Sequence, residues 1–188
     1  MKYLIILIFL TSMSLQAKSK NIQTKYGTIT VTPVVTFENA QKLKPTPHVK
    51  QRTLYGVRAT WSHGILALEG EYTMGSDSDF FVSTGKSIKE NVKKAKLGLR
   101  ASFSLNSMLS WSLRGGAQAK QSLIEETLAS VTTSNKGATY VDPYIGTELS
   151  IHLFNLFSLS AGVTAVMSDY PNKGKIETST DFGVSFHY

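Results

Sequence analysis

Phe182-Gly183-Val184-Ser185-Phe186-His187-Tyr188 closes the chain. Successive side chains of a strand point to opposite faces. Phe182, Val184, Phe186 and Tyr188 therefore share one face, and Gly183, Ser185 and His187 share the other. A strand with one apolar and one polar face has two homes. In a soluble sandwich the apolar face is the core. In a membrane-spanning barrel it is the lipid-facing wall, and the polar face lines the interior. The residues upstream decide between them.

Eight segments alternate at this period: Thr28–Phe37, Leu54–Trp61, Leu66–Tyr72, Val92–Leu105, Leu109–Lys120, Val141–Leu153, Phe157–Ser168 and Thr178–Tyr188. Most have the length of a tilted transmembrane strand, roughly 9–11 residues; the second and third are short for one. The connections alternate too. His63-Gly64, Asn106-Ser107-Met108 and Phe154-Asn155-Leu156 are tight turns, whereas 38–53, 73–91, 121–140 and the shorter 169–177 are long polar loops. Long loops at one end and tight turns at the other is the layout of an up-and-down transmembrane barrel, with long loops outside and both termini in the periplasm.

Register tests the faces. The three turns pair Trp61 with Leu66 and Ala59 with Leu68, then Leu105 with Leu109 and Phe103 with Trp111, then Leu153 with Phe157 and Ile151 with Leu159. Each hairpin puts its apolar residues on one face, as cross-strand partners require. Aromatics gather at both boundaries. Tyr26, Trp61, Phe103, Trp111, Phe154, Phe157, Phe186 and Tyr188 lie near the turns and termini. Phe37, Tyr55, Tyr72, Tyr140, Tyr144 and Tyr170 lie near the loops. Two girdles around an aliphatic belt are foreign to a soluble sandwich. Pro33 sits badly inside the first strand, because it has no N–H for the ladder; a bulge or a later strand start is expected there.

The remaining composition agrees with export. Lys2, the apolar run Leu4–Leu10 and the small, polar stretch Ser12–Ala17 read as a cleaved signal peptide over residues 1–17, leaving a barrel domain over 18–188. The absence of cysteine excludes a disulfide framework and a thiolate metal site. The net charge of +7 points, in a secreted chain, to an anionic membrane surface. Nucleic acid is not expected, because no stacking aromatics interleave with the cations.

The inward positions carry Arg58, Glu69, Glu71, Lys96, Arg100, Arg114, Glu148 and His152, with Gln118 among them. The register sets Arg58 opposite Glu69 and Arg100 opposite Arg114. Facing arginines need carboxylates from neighbouring strands, so a connected ion-pair network in the lumen is expected. An eight-stranded barrel is just wide enough for its side chains to fill it. A plugged lumen is the first reading, and a narrow path for ions or small solutes is the second.

Catalytic chemistry has weaker support. His48, Asp77 and Ser78 in the outer loops are loosely similar to the arrangement in lipid A palmitoyltransferase barrels, so a lipid A-modifying acyltransferase or deacylase is a third reading. Glu148, Ser150 and His152 share a face but stand about 7 Å apart, beyond hydrogen-bond reach. The four histidines fall on different elements, so no metal site and no cofactor are expected. Cations crowd the long loops and the strand ends beside them: Lys42, Lys44, Lys50, Arg52, Lys86 and Lys89, with Lys93, Lys94, Lys120, Lys136, Lys173 and Lys175. The tight turns have none, and this sidedness suits lipopolysaccharide phosphates or an external partner.

The alternating strands, the loop rhythm and the Phe186/Tyr188 terminus resemble the small outer-membrane barrels of the OmpA and OmpX type, and more loosely OmpW. The resemblance is architectural and covers nearly all of the expected mature chain. It implies an outer-membrane location, assembly by the barrel-assembly machinery through the C-terminal strand, and contacts with outer-membrane lipid. Members serve as structural proteins, adhesins, small channels or lipid-modifying enzymes, so the resemblance implies a fold more sharply than a function.

Overall fold

The structure, a computed structural model, describes residues 22–24, 27–42, 48–81, 85–128, 131–153, 157–168 and 175–186. The expected signal peptide, Tyr26, Lys44, the turn at 154–156, Tyr170, Lys173, His187 and Tyr188 lie outside them. The described strands are β1 (Ile22–Thr24), β2 (Gly27–Lys42), β3 (His48–His63), β4 (Leu66–Phe81), β5 (Lys86–Ser104), β6 (Leu109–Leu128), β7 (Val131–Lys136), β8 (Tyr140–Leu153), β9 (Phe157–Ser168) and β10 (Lys175–Phe186). Eight of them, all but β1 and β7, pair antiparallel in chain order, and β10 returns to β2. This is a closed eight-stranded up-and-down barrel. β1 folds back on Gly27–Ile29, and β7 pairs with the upper part of β6.

Burial is inverted relative to a soluble protein. Leu97 and Leu99 are 63% and 64% exposed, whereas Arg58 and Glu69 are 2% and 0% exposed. The apolar set forms the outer wall and the charged set fills the interior, the arrangement a barrel needs when lipid surrounds it.

Three registers can be compared with expectation. Arg100 faces Arg114 and Phe103 faces Trp111, the two rings stacking with centroids 5.7 Å apart. Leu153 pairs with Phe157 and Ile151 with Leu159. The β3–β4 hairpin differs. Its turn is Gly64-Ile65, not His63-Gly64, so His63 pairs with Leu66 and Trp61 with Leu68. Gly64 has φ +63°, which suits the first position of a two-residue hairpin turn. The slip is two positions in partner, so faces are preserved while partners change: Arg58 lies opposite Glu71, not Glu69.

The second and third strands and the long loops also need correction. β3 and β4 are 16 residues each, and much of 38–53, 73–91 and 121–140 is paired strand. β4, β5, β6 and β7 rise together as a blade above the barrel. Beyond the lipid both faces meet water, so alternation disappears from the sequence while the backbone ladder continues. Cross-strand pairs such as Lys86–Glu126 and Lys89–Glu125 mark the blade.

Pro33 causes neither a bulge nor a late start. It faces Val57 in an unbroken β2, one residue before the β2–β10 pairing begins at Val34 and Gly183. That pairing runs up to Glu38 and Ser179. Below it, Thr32 Oγ1 and Ser185 Oγ lie 2.6 Å apart, so side chains hold the seam where proline has no N–H to give.

The outer girdle is narrower than expected. Tyr144 is 4% exposed and points inward, with Lys96 Nζ 6.0 Å from its ring centre. Tyr140 shares its parity but is 64% exposed at the start of β8. Phe37, Tyr55 and Tyr72 remain on the lipid side, on the adjacent strands β2, β3 and β4.

Candidate functional site: the charged lumen

Six strands project charge into one connected cluster in the lumen. Arg58 comes from β3, Glu69 and Glu71 from β4, Lys96 and Arg100 from β5, Arg114 from β6, Glu148 from β8 and Asp181 from β10. Every one lies on the polar side of an alternating strand, so the pleat alone aims it inward.

The partners interlock. Arg58 bridges Glu71 at 2.7 Å and also holds Glu148. Arg100 reaches Glu148 at 2.7 Å and Glu69 at 3.5 Å, and donates to Ser112 Oγ at 2.7 Å. Arg114 lies between Glu69 at 3.4 Å and Glu71 at 3.5 Å, and binds Asp181. Lys96 sits 2.7 Å from Glu71 and 3.9 Å from Asp181. Thr164 and Thr36 each donate to Asp181 at 2.8 Å. Four cations thus face four carboxylates, and the most open of the eight, Arg100, is 14% exposed. Balanced charge with shared hydrogen bonds is the condition under which buried ions are tolerated. The two facing arginines, Arg100 and Arg114, both meet Glu69, which relieves their repulsion.

Inward glycines make room for these chains. A Cβ on Gly146 would come within 3.0 Å of Arg114 Nε, and one on Gly98 within 2.5 Å of the Tyr144 hydroxyl.

A second tier lies toward the end of the barrel that carries the long hairpins. Arg52 Nε is 2.7 Å from Asp77 and 3.7 Å from Glu38, and its Nη2 is 3.0 Å from Glu90. Lys94 binds Glu38, and Lys120 pairs with Glu177 at 3.1 Å. A cavity of about 80 Å³ lies among Glu38, Arg52, Glu90, Lys94, Lys120 and Glu177. Toward the tight turns, His152 Nε2 lies 3.0 Å from Ser110 Oγ.

The other expected residues separate by face. Arg52 is 3% exposed and belongs to the second tier, not to the outer surface. Lys50 binds Asp79 and the Ser78 carbonyl, and Lys86 binds Glu126. Lys89 is exposed and lies 3.8 Å from Glu125. The backbones of Lys42 and His48 pair with each other, and their side chains lie outside the described residues. Asp77 faces the lumen with Arg52, and strand alternation puts the neighbouring Ser78 side chain on the opposite face. Phe186 pairs with Phe157 at the end of β10. Among the described residues no His, Asp and Glu group is arranged for a metal ion.

Asp181 was not among the expected lumen charges, yet it binds Arg114 and approaches Lys96. The signal was present: it shares parity with Gly183 and Ser185 on the polar side of the last strand. Glu38, whose partner is Lys94, was hidden in what the sequence presents as a polar loop.

No family model and no curated protein matches the chain. Solved structures do. Ail, the attachment invasion locus protein of Yersinia pestis, in complex with the heparin analogue sucrose octasulfate, aligns over 85% of this chain and 97% of its own, at 12% identity and a TM-score of 0.59. Neisserial surface protein A aligns over 85% and 97%, at 14% identity and 0.56. The N-terminal barrel domain of OprF from Pseudomonas aeruginosa aligns over 83% and 96%, at 15% identity and 0.50. At these identities the likeness is one of fold: a small eight-stranded barrel of the outer-membrane type.

Proposed function

We propose that this protein is an outer-membrane barrel with a plugged lumen, serving a structural or surface-contact role and performing no catalysis. Its long hairpins face outward and both termini face the periplasm. The observation that carries the reading is the mid-lumen cluster, in which four cations and four carboxylates from six strands join in one ion-pair network. Moving an ion through it requires breaking several buried pairs at once, each costly to break. The inverted burial favours a membrane location, and the outward hairpins offer the surface for an external ligand. The C-terminal strand, ending at Phe186 and Tyr188, is the handle for the assembly machinery.

Single-channel recording of the refolded protein in planar bilayers is the test. Well-folded protein is expected to be silent, and Arg100→Ala, which opens the least buried member of the cluster, to give small steps at most. Reproducible steps from the unaltered protein would overturn the plug. The channel would then lead, a reading favoured by the cavity at the outer mouth.

A further inference from the structure

The outer cations do not surround the barrel evenly. By strand parity Lys50, Arg52, Lys86, Lys94, Lys120 and Lys175 lie on the lumen side. Among the described residues, the cations on the outward side at or above the outer girdle are Lys89, Lys93 and Lys136, all on β5 and β7. The outward positions of β2, β3, β4 and β10 at that height, such as Asn39, Gln51, Ser76 and Ile176, are uncharged, and the outward charge on β6 is Glu125, opposite Lys89.

Two of the three lie next to the outer girdle along the strand ladder. Lys93 belongs to a cross-strand row with Tyr55, Met74 and Gln121. The row beneath it is Tyr72, Ala95, Ala119 and Val141. Lys93 is exposed between the buried Val92 and Lys94, so it points away from the lumen at the level of a girdle tyrosine. Lys136 faces Leu123, two residues above Gln121, on the same side. Strand and residue spacing put the two lysines roughly 12 Å apart at Cα, a gap their extended side chains can close onto one headgroup. Neither is ion-paired among the described residues, whereas Lys89, higher on the blade, has Glu125. Gln121 lies between them and donates to Thr139 at 3.0 Å.

We propose that Lys93 and Lys136, with Gln121 between them, form a binding site for the phosphate group of an outer-leaflet lipid on the outward face of the β5–β7 sector. The apolar Met74, Ala95 and Val141 lie alongside and below, where the acyl region begins. A cation pair beside a tyrosine and above an apolar wall is complementary to an anionic headgroup on its own hydrocarbon. The proposal rests on the membrane reading and names the lipid contact within it.

The test uses full-length protein in bilayer nanodiscs of zwitterionic phosphatidylcholine, doped with lipid A or with enzymatically dephosphorylated lipid A. Lipid retained on the protein is measured by native mass spectrometry after release into detergent. Lipid A is expected to be retained in preference to its dephosphorylated form. Lys93→Gln and Lys136→Gln are each expected to lower retention about fivefold, and the double variant about thirtyfold. Lys→Arg at both positions should restore it, and Lys89→Gln should change it less than about twofold. Equal retention of the two lipids, or an equal loss in Lys89→Gln, overturns the site while the membrane reading stands. Failure of the unaltered protein to enter bilayers overturns both.

Discussion

At the scale of residues, Glu148 holds the lumen together. It touches Arg58 through Oε2 and Arg100 through Oε1, so Glu148→Gln leaves two buried guanidinium groups short of charge. Breaking a buried pair costs about 3–5 kcal/mol, and the loss is expected near the lower figure because glutamine keeps an acceptor. Urea unfolding from lipid vesicles measures it. Adding Arg100→Gln should recover part of the loss, since the double variant removes one of the stranded charges. A Glu148→Gln protein as stable as the original would mean that the cluster is water-filled and not a plug. The charged positions themselves were legible in the sequence, because alternation assigns a face to each residue in a strand. Their partners were legible only in part: neighbouring strands do supply Glu69 to Arg100 and Glu148 to Arg114. Arg58 meets Glu71 across the hairpin and Glu148 across the lumen, and the second contact joins residues that no local pattern connects.

At the scale of elements, the strands are legible only where lipid gives them two unlike faces. β9 is recovered to its ends, whereas β3 and β4 run well beyond their apolar stretches. The upper blade is held by ladder hydrogen bonds and cross-strand pairs, neither of which leaves a periodic trace. It also stands clear of the hydrocarbon belt and should not be needed for folding. Joining Gly75 to Val92, which face each other, through a two-residue turn removes the top of the β4–β5 hairpin. The shortened protein is expected to refold into detergent micelles and to keep a heat-dependent shift in gel mobility. Loss of that shift would show that the blade nucleates or braces the barrel. The glycine turn at Gly64 teaches the same lesson from the other end: composition marks a turn there, but which two residues occupy it depends on backbone geometry.

At the scale of the whole molecule, the solvent decides what each substitution means. Leu99 is 64% exposed, and on a soluble protein Leu99→Arg would be almost free. On a lipid-facing wall near mid-belt it should cost about 2–4 kcal/mol. Comparing unfolding of the variant and the original in vesicles reads the cost directly, and a difference under about 0.5 kcal/mol would argue that this wall does not meet lipid. The sequence by itself determined the class of fold, the number of barrel strands and the side of each strand that carries charge. It could do so because period-two alternation, turn residues and girdle aromatics are local signals imposed by a layered solvent. Only the tertiary structure decided which cations remain outside. Arg52, Lys50 and Lys86 share the outer end of the chain's strands with Lys93 and Lys136, but parity and closure turn the first three toward carboxylates on neighbouring strands. A barrel brings residues distant in sequence to one height and then sorts them by side, and neither the height nor the partner across the lumen is written in any local stretch.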